Sequence, residues 1–432
     1  MSLVTLLSSK ILHLPIHIGC VSLSEPDLSD YIEKDDSQSV SDQEVSIIDM
    51  TSYPVKNVLD ILLHDKTTGK NIIWATDAYK IFGYSDKSQI SPSIFKSNRY
   101  LLQPRINKSA EDQQERTRKK AEVFTPVWLC NKMNNYCDEQ WFGRKDVFNY
   151  DNEDNTWIVI EENVQFPDDK DWRDYVDSRR LEITCGEAPY LVSRYDAATG
   201  KFILPPLRRV GILDRKLRIV NENTESKDDW IIWATRAFQS CYGYEWQGDS
   251  LLIARVNLLM TFFDYYKERW AKDPDTDLLR QIANIISWNL WQMDGLKDSV
   301  PFGRPAGSKQ QMTLDLLFGG EFKPTVGPAQ VCKINNWRIK ESLQFRKCKD
   351  RGKMNKKMFD FVIGNPPYQI ESNGANANDT PVYHLFYDSA FEVSDKVELI
   401  TPARFLFNAG GTPKSWNEKM LQDEHFKVLY YT

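Results

Sequence analysis

The chain has 432 residues, 13 of them Trp, and carries 55 Lys and Arg against 61 Asp and Glu, a net charge of −6. That length holds about two or three domains and a sizeable core, and the acidic balance argues against stand-alone gripping of DNA, which takes a basic footprint. No apolar run reaches the roughly 18 residues of a membrane-spanning helix, and seven scattered Cys without a Cys-x-x-Cys pair read as reduced thiols of a cytosolic protein.

The first 23 residues are mildly apolar, but His13, Pro15 and His17 interrupt them, so they do not read as a signal peptide. His13, His17 and Cys20 have no fourth ligand nearby, and no metal site is assigned. Residues 24–47 are acidic and Ser-rich. Residues 1–50 are therefore expected to be a disordered or acidic segment. Residues 51–110 read as a mainly helical extension, with a helix candidate at Val55–Leu63 and a short strand at Ile72–Trp74. Residues 111–432 are left as one domain.

A basic run, Arg116–Lys120, leads into Glu122-Val123-Phe124-Thr125-Pro126. Pro126 suits the first turn of a helix with Thr125 as its N-cap, the helix continuing through Leu129 and Met133. Arg180–Leu191 reads as a strand, a tight turn of small residues around Cys185 and Gly186, and a helix start. Ala188 is compatible with such a turn if its φ stays negative. Val210–Arg215 is a short strand or a helix start. A helix at Asp229–Ser240 precedes a strand, Cys241–Glu245, that ends in an acid. A carboxylate at that edge can accept the two hydroxyls of a ribose. Long helices follow at Leu251–Trp270 and from Thr276. The alternation from Ile285 to Trp291 then runs into Asp294. Residues 337–357 carry nine Lys or Arg against two acids, a stretch that could track phosphates or form a solvated helix.

Phe359–Ile363 reads as a buried parallel strand, stopped by Gly364-Asn365-Pro366-Pro367-Tyr368. Proline cannot continue a ladder, and Pro367 forces Pro366 into an extended conformation. The result is a rigid turn at the carboxyl end of a strand, where open α/β sheets bind ligands. Asn365 offers a side-chain carbonyl, Pro366 a backbone carbonyl and Tyr368 an aromatic face. Two acceptors beside a stacking ring suit a planar group carrying an amine. Thr380–Val393 reads as a helix, and Lys396–Pro402 and Phe426–Tyr431 as strands.

The Asn-Pro-Pro-Tyr turn resembles motif IV of the amino-methyltransferases. The phrase ending in Thr125-Pro126 resembles motif X. Glu182, Cys185, Gly186, Tyr190 and Leu191 resemble motif I, with Ala188 where a second Gly is usual. Tyr242–Glu245 resembles motif II, and the stretch into Asp294 motif III. The order X, I, II, III, IV over about residues 110–432 resembles the gamma-type adenine-specific DNA methyltransferases of restriction-modification systems. The resemblance implies a doubly wound, mostly parallel α/β sheet with helices on both faces. It implies transfer of a methyl group from S-adenosylmethionine to the amine of a flipped adenine in double-stranded DNA, without a metal. Thr125, Pro126, Glu182, Cys185, Gly186, Ala188, Glu245 and Asp294 would bind the cofactor. Asn365, Pro366, Pro367 and Tyr368 would act on the base.

The resemblance also implies a cytoplasmic protein, a possible restriction or specificity partner, and a final strand inserted antiparallel between the two before it. Lys396–Pro402 and Phe426–Tyr431 supply those two, and no candidate follows. The expectation is therefore a C-terminally truncated core with an open sheet edge and without a target-recognition domain, weak in specific methylation. Methylation of RNA or of a protein glutamine, or a cofactor-binding remnant without activity, are the alternatives.

Overall fold

A computed structural model of the chain describes residues 3–9, 48–107, 125–196, 199–304, 330–353, 357–370 and 380–431. Seven strands form its main sheet: β1 (Leu3–Ser9), β2 (Arg180–Ile183), β3 (Cys241–Glu245), β4 (Leu290–Gln292), β5 (Phe361–Gly364), β6 (Lys396–Pro402) and β7 (Phe426–Tyr431). Their order across the sheet is β7-β1-β6-β5-β2-β3-β4. The five from β6 to β4 are parallel to their neighbours. The α/β class expected from the sequence is thus present.

The strands are short and apolar, and successive side chains enter different layers. Phe361 and Ile363 join one core and Val362 the other, each almost fully buried. Each such side chain contributes about 1.5–3 kcal/mol of burial. The first core takes the helices α1 (Val127–Phe142), α2 (Ile212–Asn223), α3 (Lys227–Gln239), α4 (Gly248–Trp270) and α5 (Thr276–Asn289). The second takes α6 (Phe345–Lys353), α7 (Tyr383–Val393) and α8 (Lys414–Gln422). Gly364 is needed where β5 meets β2, because a Cβ there would lie 2.6 Å from the carbonyl oxygen of Ile183.

Several expectations are corrected. The open edge is not there. β1, from the segment expected to be disordered, pairs antiparallel with β6 from Leu3↔Pro402 to Ser9↔Lys396. It also pairs antiparallel with β7, with an irregularity between Thr5 and Leu6. The slot assigned to a final strand is thus filled by the first one. Backbone pairing is indifferent to chain order, so any extended segment of the right length that can reach the slot satisfies its donors and acceptors. The acidic stretch of residues 24–47, the His13, His17 and Cys20 group and the basic run of residues 116–120 lie outside the described residues.

Among the described residues no α-helix follows the Gly186 turn before α2. Residues 184–196 and 199–211 hold turns, a Tyr195↔Phe202 bridge and a short 3-10 turn, and α2 begins only at Ile212. The extension is less helical than expected, with short helices at Leu59–Leu63 and Pro92–Ser97. It shares the first core through Leu62, Trp74 and Phe95. Buried Arg255 of α4 fastens it by donating to the carbonyls of Leu62 and His64.

Candidate functional site

The carboxyl ends of β2, β3, β4 and β5 bring the sequence-predicted residues to one edge. In register, Ile183 lies beside Gly364 and Tyr244, and Glu245 beside Gln292. Along the edge the order is therefore the Asn-Pro-Pro-Tyr turn after β5, the turn after β2, the acid ending β3 and Asp294 after β4.

The turn after β2 is tightly wound. Thr184, Gly186 and Ala188 all have positive φ, at 46°, 52° and 64°. The condition under which Ala188 is unstrained is therefore not met. The left-handed backbone costs a residue with a Cβ about 1–2 kcal/mol. Hydrogen bonds hold the turn: Cys185 N–H donates to the Tyr244 carbonyl at 2.8 Å, and Ala188 N–H to that of Cys185 at 2.7 Å. Glu182 lies beneath, 1 % exposed, and its carboxyl accepts from the backbone of Tyr190 (3.5 Å) and Leu191 (3.0 Å). It shapes the loop from below. Burial pushes its pKa well above the usual carboxylate range. Cys185 is also buried, against Gly243, and burial pushes its thiol up, which makes it a packing group.

Glu245 spans two backbone donors. One oxygen accepts from Gly186 N–H at 2.8 Å and the other from Gln247 N–H at 3.0 Å. Asp294 pairs with Lys297 at 2.8 Å and accepts from Leu296 N–H at 3.1 Å. An anionic acceptor at the end of β3, beside a backbone turn, is a donor set that fits a nucleoside-bearing cofactor.

No sequence pattern signals that the extension helps build this edge. Ile73 exchanges two hydrogen bonds with the side chain of Gln292, and Ala75 O accepts from Trp246 Nε1 at 2.9 Å. Tyr79 donates to buried Asp249 at 2.9 Å. At Gly248, a Cβ would sit 1.9 Å from the Ile73 carbonyl oxygen, so only glycine admits the extension. Glu187 adds a further tie, accepting from Arg105 N–H and from Tyr195 O–H.

Around β5, Asn365 is half-buried while Pro366 and Tyr368 are buried. Asn365 Nδ2 donates to Thr125 Oγ1 at 3.2 Å, and Tyr368 O–H donates to Asn365 Oδ1 at 2.7 Å. Thr125 is not the N-cap of α1. Pro126 takes that position, and no side chain caps the helix. The one-residue shift leaves the Thr125 hydroxyl free to face the turn. The Tyr368 ring, 6 % exposed, belongs to the second core instead of presenting a free face. Thr184 also touches the turn, its hydroxyl lying 3.2 Å from the Asn365 carbonyl oxygen. Thr184 carries no motif signal, since nothing in a strand-ending Ile-Thr-Cys predicts a left-handed threonine.

The basic stretch reaches elsewhere. Trp337 donates to Asn289 and Arg338 to the Asp177 carbonyl, which precede β4 and β2, so this tip lies at the amino edge of the sheet. Among the described residues, no group of His, Cys, Asp or Glu could hold a metal ion. No described helix is long and apolar enough to cross a membrane.

Comparison with known proteins covers the second part of this edge. The chain matches no curated protein. Residues 239–432, which carry Glu245, Asp294 and the Asn365–Tyr368 turn, match the family of the Eco57I restriction-modification methylase. The match and the α/β sheet together support a restriction-modification methylase.

Proposed function

We propose that this chain transfers a methyl group from S-adenosylmethionine to the exocyclic amine of an adenine in double-stranded DNA, as the modification part of a restriction-modification system. The observation that carries the reading is the Asn-Pro-Pro-Tyr turn at the end of β5, next in the sheet to the wound turn at Thr184–Ala188. Glu245, Asp294 and the backbone around Gly186 would hold the cofactor. When bound, it supplies an electrophilic methyl group.

The chain's own part is positioning and hydrogen bonding. Asn365 Oδ1 and the Pro366 carbonyl would each accept one hydrogen of the target amine. That turns the nitrogen lone pair toward the methyl carbon. Transfer would form the N–C bond at the expense of the donor's C–S bond, and the resulting ammonium would release a proton to solvent. Both acceptors favour the positive charge that develops on nitrogen. The base must leave the duplex to reach the turn. The net charge of −6 motivates a specificity or restriction partner that supplies the grip on DNA.

The test is mass spectrometry of acceptors after incubation of the full chain with S-adenosylmethionine and unmethylated genomic DNA. N6-methyladenine is expected. Methylated RNA or glutamine instead would replace the substrate assignment. Cofactor binding without any methyl transfer would mark a remnant.

A further inference from the structure

Resting on the reading above, we infer that Thr125 and Thr184 are positioning residues that clamp Asn365, one at its side-chain amide and the other at its backbone carbonyl. The two come from distant parts of the chain. Thr125 lies just before α1 and is 4 % exposed, and Thr184 follows β2. Their hydroxyls each lie 3.2 Å from an atom of Asn365, Thr125 Oγ1 from Nδ2 and Thr184 Oγ1 from the carbonyl oxygen.

Thr184 reaches this place in a conformation that a β-branched residue rarely takes, with φ of +46°. Such strain persists where the surroundings over-determine it, and it clusters at functional sites. Here the neighbouring Cys185 N–H is tied to Tyr244, and the single hydrogen of the Thr184 hydroxyl is shared between the Ile183 carbonyl oxygen at 2.7 Å and that of Asn365 at 3.2 Å.

Thr125 settles which way the amide points. Its hydroxyl accepts from Asn365 Nδ2 at 3.2 Å. The amide oxygen is thereby turned to the other side, where Tyr368 O–H meets it. That oxygen is the atom the target amine needs.

The clamp also joins the two halves of the site. Gly186, two residues after Thr184, donates to Glu245. The turn thus joins the Glu245 carboxylate, bonded at Gly186, to the Asn365 backbone carbonyl, reached by Thr184. The threonines need not touch either substrate to act.

The experiment compares Thr125→Val, Thr125→Ser, Thr184→Val and Thr184→Ser in the full chain. Valine keeps the branched shape, and serine keeps the hydroxyl. The first readout, independent of activity, is hydrogen exchange of the segment 361–370. About tenfold faster exchange is expected in both Val variants and parental exchange in both Ser variants, as for one lost hydrogen bond. The second is transfer of labelled methyl from S-adenosylmethionine to unmethylated genomic DNA, with cofactor affinity by calorimetry. Both Val variants should lose about tenfold in kcat, Thr184→Val with unchanged cofactor affinity, and serine should restore the rate. Val variants with parental exchange overturn the clamp, as do Ser variants that fail alongside Val, which would point to packing. A parent chain that transfers no methyl while the exchange pattern holds overturns the methyltransferase reading and leaves the clamp standing.

Discussion

The phenol of Tyr368 donates a 2.7 Å hydrogen bond to the side-chain carbonyl of Asn365, three residues earlier in the same turn. The group expected to stack on a base is thus engaged with the group expected to hold the base's amine. The ring is buried in the second core, so its removal should be felt first as lost stability. Truncating a buried aromatic costs about 3–5 kcal/mol. We expect Tyr368→Ala to lower the urea midpoint by a corresponding amount, and Tyr368→Phe to keep most of the stability. An alanine variant as stable as the parent would show that the ring does not support the turn.

Glu245→Ala should weaken S-adenosylmethionine binding by about 1.5–3 kcal/mol, the worth of a charged hydrogen bond. It also frees the N–H groups of Gly186 and Gln247, so some loss of melting temperature should accompany it. Calorimetry on the folded variant decides the point, and unchanged affinity would remove Glu245 from the cofactor site.

Asn365→Ala should reduce the methylation rate by at least about tenfold and leave cofactor affinity nearly intact. Its amide touches Thr125 and Tyr368, not Glu245. Parental turnover in this variant would contradict the assignment of the turn.

Stability should fall with rising pH at Glu398. Its carboxyl is 1 % exposed on β6 and accepts from the Cys137 thiol at 3.3 Å, while its other oxygen has no hydrogen-bond partner among the described residues. Burial raises its pKa well above the usual range. In the unfolded chain a glutamate ionises near about pH 4.3. Above that pH the unfolded chain has lost a proton that the folded chain keeps, so its contribution is complete in acid and declines toward the raised value. We expect Glu398→Gln to raise stability clearly more at about pH 8 than near pH 4. Denaturant curves at the two pH values would expose an error if the gain were the same in both.

Removing residues 1–47 should open the slot between β6 and β7, since β1 pairs with both. Unpaired edges promote association. Light scattering should therefore reveal oligomers at concentrations where the parent is monodisperse. A truncated chain that stays dispersed with an unchanged melting temperature would mean that β1 contributes nothing to closing the sheet.

The strands β2, β3, β5, β6 and β7 were legible because short apolar runs bounded by Gly, Pro or charge can hardly be anything else in water. The Asn-Pro-Pro-Tyr turn was legible because two prolines leave the backbone few choices. The order of these pieces, read by resemblance, anticipated strands whose carboxyl ends carry Glu245, Asp294 and Asn365 to one edge of the sheet. Other features depend on contacts between residues far apart in the chain, which no local pattern encodes. Only the folded chain has Thr184 left-handed against Asn365, Thr125 freed from capping by a one-residue shift, and Glu182 turned beneath its loop. Only there does Arg255 fasten the extension to the core. The filling of the sheet by Leu3–Ser9 is the clearest case. A strand's own sequence fixes that it is extended, but its partner is set by which unpaired backbone it can reach in three dimensions.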